Sequence, residues 1–392
     1  MRCTTALISV SIVFSTLAAC SSDSSGRGYT EQVIDGVRVR SYELTEAPRI
    51  DPFEVVPSTV FGGDQNEDTY LLRGIHLLGI SNTGLLVASD MMSTRIHIFD
   101  SDGTHLRELG RSGQGPGEFS MVSEYLFDGR HIHIFDYRQP RRTLMDLEGN
   151  LVSILQYPTD LMGFGNAMPR AFIGANGVSR YICELIMGAG STTTYRYTVA
   201  LRDSDLTLIE TPIDTSFSFE TVVIGTPGRF HRPFVLDGPA TAVGDDLPVA
   251  FSWGQAFRIR FHDLISRDRW TVQIPRESKP VTNRHREYHL LENYARDGLV
   301  EEARRKLPWP SHMPYLEYMS WDTTGRLWVQ EYRDPLDEEA PWIHQVFDTD
   351  GTWLFQQELP ARAGHIVENG MYVSESAEDG SPIIRFYRFE AK

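Results

Sequence analysis

The spacing of its turn residues constrains this chain more than any other feature. Gly84 and Gly129 stand about 45 positions apart, and so do Gly325 and Gly370; within a unit, Gly84 to Gly103 and Gly129 to Gly149 each cover about 20. Asp102-Gly103, Asp128-Gly129, Asn176-Gly177, Asp350-Gly351 and Asn369-Gly370 are pairs that supply the positive φ of tight hairpins. The runs between them, such as residues 95–99, 130–135, 326–329 and 352–355, are short, rich in β-branched and aromatic residues, and mostly alternate polar with apolar. Residues 99–106 return almost unchanged as 347–354, in the same phase of the repeat. A period in the forties that holds four short strands predicts the blade of a β-propeller.

Counting units predicts an all-β, six-bladed β-propeller. The blades fall at about 71–110, 119–157, 168–211, 231–275, 313–360 and 363–390. The last has room for only three strands. Its missing outer strand is expected from the N-terminal side, either residues 53–61 or residues 37–44, because closure by both chain ends leaves no open edge in the ring. Residues 283–307 break the pattern. Tyr288, Leu291, Ala295, Leu299, Ala303 and Leu307 recur at helical spacing, Gly298 divides the run, and Pro308 and Pro310 end it. A helical insertion between blades four and five follows, its apolar stripe set either on the propeller or on a partner.

The junction at residues 110–119 and the units at 81–90 and 95–100 carry a resemblance. In them the chain resembles the six-bladed β-propeller lipoproteins of bacteria, relatives of the NHL-repeat propellers. The likeness spans about residues 53–390 and is sharpest in blades one, two, five and six. It implies the fold and export, and no single activity, because propellers host many.

The N-terminus agrees with export. Arg2 precedes an uncharged, mostly apolar stretch at 6–16, which is shorter than the roughly 20 residues needed to span a bilayer. Leu17-Ala18-Ala19-Cys20 resembles the bacterial lipobox, which is cut before the cysteine. That likeness implies a signal peptide at 1–19, lipidation of the Cys20 thiol and of its freed amine, and a tether at 20–36 that leads into a propeller at 37–392. The expected location is the bacterial cell envelope, on the periplasmic face or the cell surface, with the membrane as partner through Cys20. Of the three cysteines, Cys3 leaves with the signal and Cys183 lies in a strand-like run as a small core residue. The formal charge of −16, from 53 acidic and 37 basic residues, excludes nucleic acid as a partner, since phosphate backbones demand a basic face.

No motif announces chemistry. Pro116 removes a backbone donor from the glycine-rich stretch 110–119, so that stretch reads as a blade connector and not a phosphate cradle. There is no Gly-x-Ser-x-Gly, His-Glu-x-x-His or paired-cysteine motif. The Asp-x-Asp-Gly sequences at 100–103 and 348–351 lack the closing Glu of a calcium loop and read as turns. No catalytic residue, metal ligand or cofactor is therefore assigned. Topology still distinguishes two rims. Turns between strands one and two and between three and four are tight, whereas two-to-three loops and blade junctions are longer and share the other rim. Long loops on a rigid frame carry binding, so Asp90, Arg95, Glu118, Asp136, Arg138 and Arg333 are the candidate ligand-binding set. The expected function is binding or scaffolding of a peptide, glycan or protein. The alternative, a metal-assisted lactonase- or lyase-type reaction in the central channel, needs several Asp, Glu, Asn or His on one ion. Cys20→Ser should move the protein from the membrane pellet to the soluble fraction of a lysate; a variant that still pellets after a salt wash contradicts the lipid anchor.

Overall fold

The computed structural model describes residues 28–43, 47–62, 75–81, 83–90, 94–120, 122–136, 138–139, 141–156, 170–173, 179–189, 192–203, 205, 207–220, 222–225, 229–231, 233–234, 240–244, 246–378 and 380–392. Residues 1–19, with Cys20 and the tether as far as 27, lie outside the described residues. Six antiparallel sheets of four consecutive strands make the blades, apart from the closing strand of the last. Blade one is Ile75–Ile80, Leu86–Asp90, Arg95–Phe99 and His105–Leu109; blade two is Val122–Phe127, His131–Asp136, Arg141–Asp146 and Leu151–Gln156. Blade three is Arg170–Ile173, Ser179–Ala189, Thr192–Arg202 and Leu208–Glu220, and blade four is Ala240–Ala242, Val249–Ser252, Arg258–His262 and Arg269–Gln273. Blade five is Leu316–Trp321, Leu327–Glu331, Trp342–Phe347 and Trp353–Leu359. The first strand of blade two touches the first strands of blades one and three, that of blade five touches those of blades four and six, and blade six packs on the first strand of blade one.

The repeat has a local cause. At the strand three-to-four turns an aspartate carboxylate accepts backbone N–H groups two and four residues on. Asp100 takes those of Asp102 (3.2 Å) and Thr104 (3.0 Å), and Asp348 takes those of Asp350 (3.1 Å) and Thr352 (2.9 Å). Asp322 does the same in a one-to-two turn, with Thr324 and Arg326 at 2.9 Å each. Gly103, Gly325 and Gly351 then take φ of 95°, 82° and 86°, where a side chain is strained.

Blade six consists of His365–Val367, Gly370–Ser376, Pro382–Ala391 and an N-terminal strand. Three N-terminal strands are present: β1 (Tyr29–Ile34), β2 (Val37–Tyr42) and β3 (Phe53–Gly62). Of the two candidates for closure, β3 is the one used. It pairs antiparallel with Pro382–Ala391, from Phe53 opposite Ala391 to Gly62 opposite Ile383. Phe53 stacks on Phe389 at 5.5 Å and meets Phe355 of blade five edge-on at 5.6 Å. A Cβ on Gly103 would overlap the Val60 carbonyl, so the turn of blade one seats the closing strand.

The region 37–44 does something else, and the tether is shorter than 20–36. Asp35-Gly36, with φ of 51° and 77°, closes a β1–β2 hairpin, and β2 adds in parallel to Arg269–Gln273 on the outer edge of blade four. Parallel addition there is fixed by side chains. Arg40, 6% exposed, lies over the Tyr29 ring at 4.3 Å and bonds Asp350 (3.2 Å) and Thr352 (3.1 Å) of blade five. Tyr42 donates to the Gly351 carbonyl (3.0 Å) and accepts from the Trp353 N–H (2.6 Å).

Between blades four and five run α1 (Asn283–Tyr294), capped by Thr282, and α2 (Val300–Lys306). The inward face differs from the expected stripe: His285, Leu290 and Tyr294 are buried and Leu291 is 57% exposed. The stripe loses phase because α1 ends at Tyr294 and Gly298 (φ 69°) turns the chain. Leu290, Tyr294, Ala303 and Leu307 pack with Ile224 from the hairpin Val222–Ile224 and Arg229–His231. Deleting residues 21–28 should leave the melting temperature unchanged, whereas deleting 21–62 should abolish cooperative melting; calorimetry that finds both truncations equally stable contradicts closure by β3.

Candidate functional site

The rim that carries the longer loops holds all six candidate charges. Asp90 ends the second strand of blade one, in register with Arg95, and Arg95 pairs with Glu108 at 2.8 Å. Three of the six meet at the junction of blades one and two. Glu118 pairs with Arg111 (2.8 Å) and accepts the backbone N–H groups of Gln114 (3.0 Å) and Gly115 (2.9 Å). The Gly115 bond, with Arg111 and Gln114 behind it, holds the Glu118 carboxyl below its ordinary range despite some desolvation. Asp136, fully buried, accepts from Ser120 N–H (2.7 Å), Arg138 N–H (3.0 Å) and Gln139 N–H (3.1 Å). The Arg138 side chain is exposed. Arg333 belongs to a different loop, the 332–341 segment of blade five. It donates to the carbonyls of Ala340 (2.8 Å) and Glu338 and lies over Trp342 at 4.9 Å. Glu118 and Asp136 thus shape one loop junction, and Arg333 shapes another.

The same rim contains a cleft of about 720 Å³ that the sequence did not disclose. One wall is the strand two-to-three loop of blade four, with Trp253, Gly254 and Gln255; the other is the pair of chain segments that leave blade four and enter blade five. Those segments are zipped by Met313 N–H to Lys279 O (2.8 Å) and Val281 N–H to Ser311 O (2.9 Å), and Tyr315 N–H donates to Gly254 O (2.8 Å). Phe234 closes one side and packs with Val281 and Met313. The insertion braces this frame. Thr282 N–H points at His285 Nδ1 (3.0 Å), which leaves the imidazole proton on Nε2, 3.1 Å from Asp334 Oδ1. Burial raises the Asp334 pKa, but the Leu336 N–H and His285 outweigh it and hold the carboxyl below its ordinary value.

At the base of the cleft, Arg276 lies 5.5 Å from the ring centres of both Phe257 and Trp353 and pairs with Glu331. Glu331 also accepts the Gln345 amide (2.7 Å), whose oxygen takes the Trp353 indole N–H (3.0 Å). The guanidinium is therefore held in place before any ligand arrives, with its buried Nε lacking a partner among the described residues. Trp253 stacks on Phe217 at 5.3 Å. Ser311 Oγ lies 2.8 Å from His312 Nδ1, but both residues are exposed neighbours in sequence, and no carboxylate orients the imidazole among the described residues. The arrangement suits recognition: fixed aromatic surface, one fixed cation, and the exposed polar groups of Gln255, Glu277 and His312. Composition and turn spacing could not reveal it, since its lining comes from separate stretches of the chain, from Phe234 to Tyr315, that only the fold brings together. The one available sign was the aromatic and proline density of 307–315.

Residues 65–165 match the family DUF5128, described as a 6-bladed beta-propeller. The chain is a six-bladed β-propeller. It is similar to a solved protein of Bacteroides fragilis (12% identity, 89% of this chain and 98% of that one, TM-score 0.49) and to a member of the DUF4221 family from Bacteroides vulgatus (11%, 88% and 100%, 0.49). Regucalcin from Agrobacterium tumefaciens, described as a calcium-binding protein, is more distant in shape (11%, 88% and 97%, 0.40). No curated protein matches the sequence. No helix among the described residues is long and apolar enough to cross a membrane.

In blade five, Gln330 and His344 face each other in register, both buried, and the Gln330 Oε1 and His344 Nε2 atoms have no hydrogen-bond partner among the described residues. His344 Nδ1 lies 3.1 Å from the Trp342 carbonyl, and burial lowers the imidazole pKa to about 4. Because the folded value is depressed below the ordinary 6.5, this stability is present above pH 6.5 and is lost as pH falls toward 4. Denaturant titrations should lose roughly 1 kcal/mol per pH unit through that window. His344→Phe should flatten the slope; an unchanged slope in the variant contradicts a buried neutral imidazole.

Proposed function

We propose that this protein is a lipid-anchored binding module of the bacterial cell envelope. It is held to a membrane through Cys20 and captures a peptide, glycan or protein loop in the cleft between blades four and five. The observation that carries the reading is the convergence of Arg276, Trp253, Phe234 and Tyr315 on one concavity of about 720 Å³. A ligand there meets side chains whose positions are already fixed, so little ordering cost opposes binding. Arg138, with its guanidinium in solvent on the same rim, offers a second contact for a ligand that extends beyond the cleft. Glu118, Asp136 and Arg333 contribute through the loop shapes they set. The metal-assisted alternative requires a cluster of ligating side chains, and no group of three or more His, Cys, Asp or Glu is arranged to hold an ion among the described residues.

The test is a selection followed by a rim comparison. The full-length protein in detergent is screened on a glycan array and against a random-peptide display library. Hits are then titrated against Gln255→Ala/His312→Ala in the cleft and Thr83→Ala on the turn rim. The cleft variant should lose about tenfold or more in affinity, and the turn-rim variant should bind as the wild type does. Retained binding in the first and lost binding in the second would place the functional face on the opposite rim.

A further inference from the structure

The interface between blades three and four differs from four others that the described residues form. Apolar side chains fill the faces between blades one and two, four and five, five and six, and six and one. Between blades three and four, Tyr197, Val199, Val249 and Phe251 close part of the interface. Elsewhere the blades part into a groove of about 580 Å³, bounded by the β1–β2 hairpin.

Strand alternation decides what faces this groove. Ile259, Phe261, Trp270 and Val272 point toward blade five and belong to its core. Arg258, Arg260, Arg269 and Thr271 therefore present to blade three, where Pro212, Ile213, Asp214 and Thr215 form the opposite wall. The register sets Arg258 beside Gln273, Arg260 beside Thr271, and His262 beside Arg269. Three arginines thus stand along one wall: Arg258 and Arg260 are one two-residue step apart on one strand, roughly 7 Å along the backbone, and Arg269 lies opposite His262 on the next strand.

Their partners are missing. The nearby Arg196 and Arg267 are neutralised by Asp214 and Glu210, but Arg258, Arg260 and Arg269 have no carboxylate partner among the described residues. Arg258 bonds only the Gln273 amide oxygen (3.1 Å), which Ser41 in turn holds through the amide nitrogen (2.6 Å), and Arg260 rests 5.8 Å from the Phe251 ring centre. His262 is kept below its ordinary pKa by burial first and then by Arg269 and Arg267, a sign of local positive potential. Asp35, in the hairpin turn, is the second carboxylate on the lining. In a chain of formal charge −16, such a row of unpaired arginines is a local reversal.

We propose that this groove binds a linear acidic oligosaccharide. Guanidinium forks pair carboxylates bidentately, and their spacing along the wall matches anionic groups repeated along a chain. Thr271 and Thr215 face the groove from both walls as hydroxyl partners, and Phe251 and Ile213 give an apolar floor for sugar rings. An extended peptide would gain most from a free strand edge, and β2 already occupies the edge of Arg269–Gln273. The groove shares no lining residue with the cleft between blades four and five, so either reading can fail alone.

Fluorescence anisotropy of the full-length protein in detergent with a labelled linear oligogalacturonate tests this. Binding should be measurable at low salt and weaken as salt rises. Arg258→Gln, Arg260→Gln and Arg269→Gln should each lose about three- to tenfold, and the triple variant should show no binding while its melting temperature is kept. Arg130→Gln, on the turn rim, should bind as the wild type does. The proposal is overturned if the wild type does not bind at low salt, or if the triple variant binds normally. It is equally overturned if a neutral oligosaccharide binds as well, or if polyglutamate competes with equal affinity through the same arginines.

Discussion

The pairing of β3 with Pro382–Ala391 joins the two ends of the chain in one sheet, and every other packing surface in the ring depends on it. A blade has two apolar faces and can bury them only against neighbours on both sides. With the ring closed, Phe53 and Phe389 meet Trp328 and Phe355 of blade five, and Phe61 reaches Phe99 of blade one. The closing strand therefore cements two interfaces as well as completing its own sheet. Without it, the third strand of blade six presents an unpaired edge.

A second device reinforces the ring from outside. The β1–β2 hairpin lies on the edge of blade four, while Arg40 and Tyr42 fasten to the 348–352 turn of blade five. Burying Arg40 is favourable only because a ring face, a carboxylate and a hydroxyl receive it together.

The two rims follow from different physics. The turn rim is built from aspartates that satisfy their own backbone, which leaves little side chain free for a ligand. The loop rim carries the chain segments that cannot close so tightly. There the helical insertion, clamped by His285 and Asp334, holds open a concavity that shorter loops would not form. On that rim Glu118 and Arg333 are largely spent on holding loop backbones.

The blade count, closure by the N-terminal side, and the place of the insertion were legible because each rests on local chemistry: an Asp-Gly turn, an alternating strand, a run at helical spacing. Asp35-Gly36 was as clear a hairpin sign as any, but the serine-rich stretch before it suggested tether, and nothing local tells a strand that its partner lies more than 200 positions away at Arg269–Gln273. The choice between residues 53–61 and 37–44 was equally beyond local signals, since it turned on which strand could seat Phe53 against Phe389 and fit past Gly103. The inward face of α1 was missed for a similar reason: His285 is buried because Asp334, 49 positions on, accepts its Nε2–H hydrogen bond. By itself the sequence determined the repeat, the two rims and the charge. Only the tertiary structure decided which charges were already paired, which aromatic residues met across a cleft, and which arginines were left facing a groove, because those outcomes depend on contacts between blades and not on the period within them.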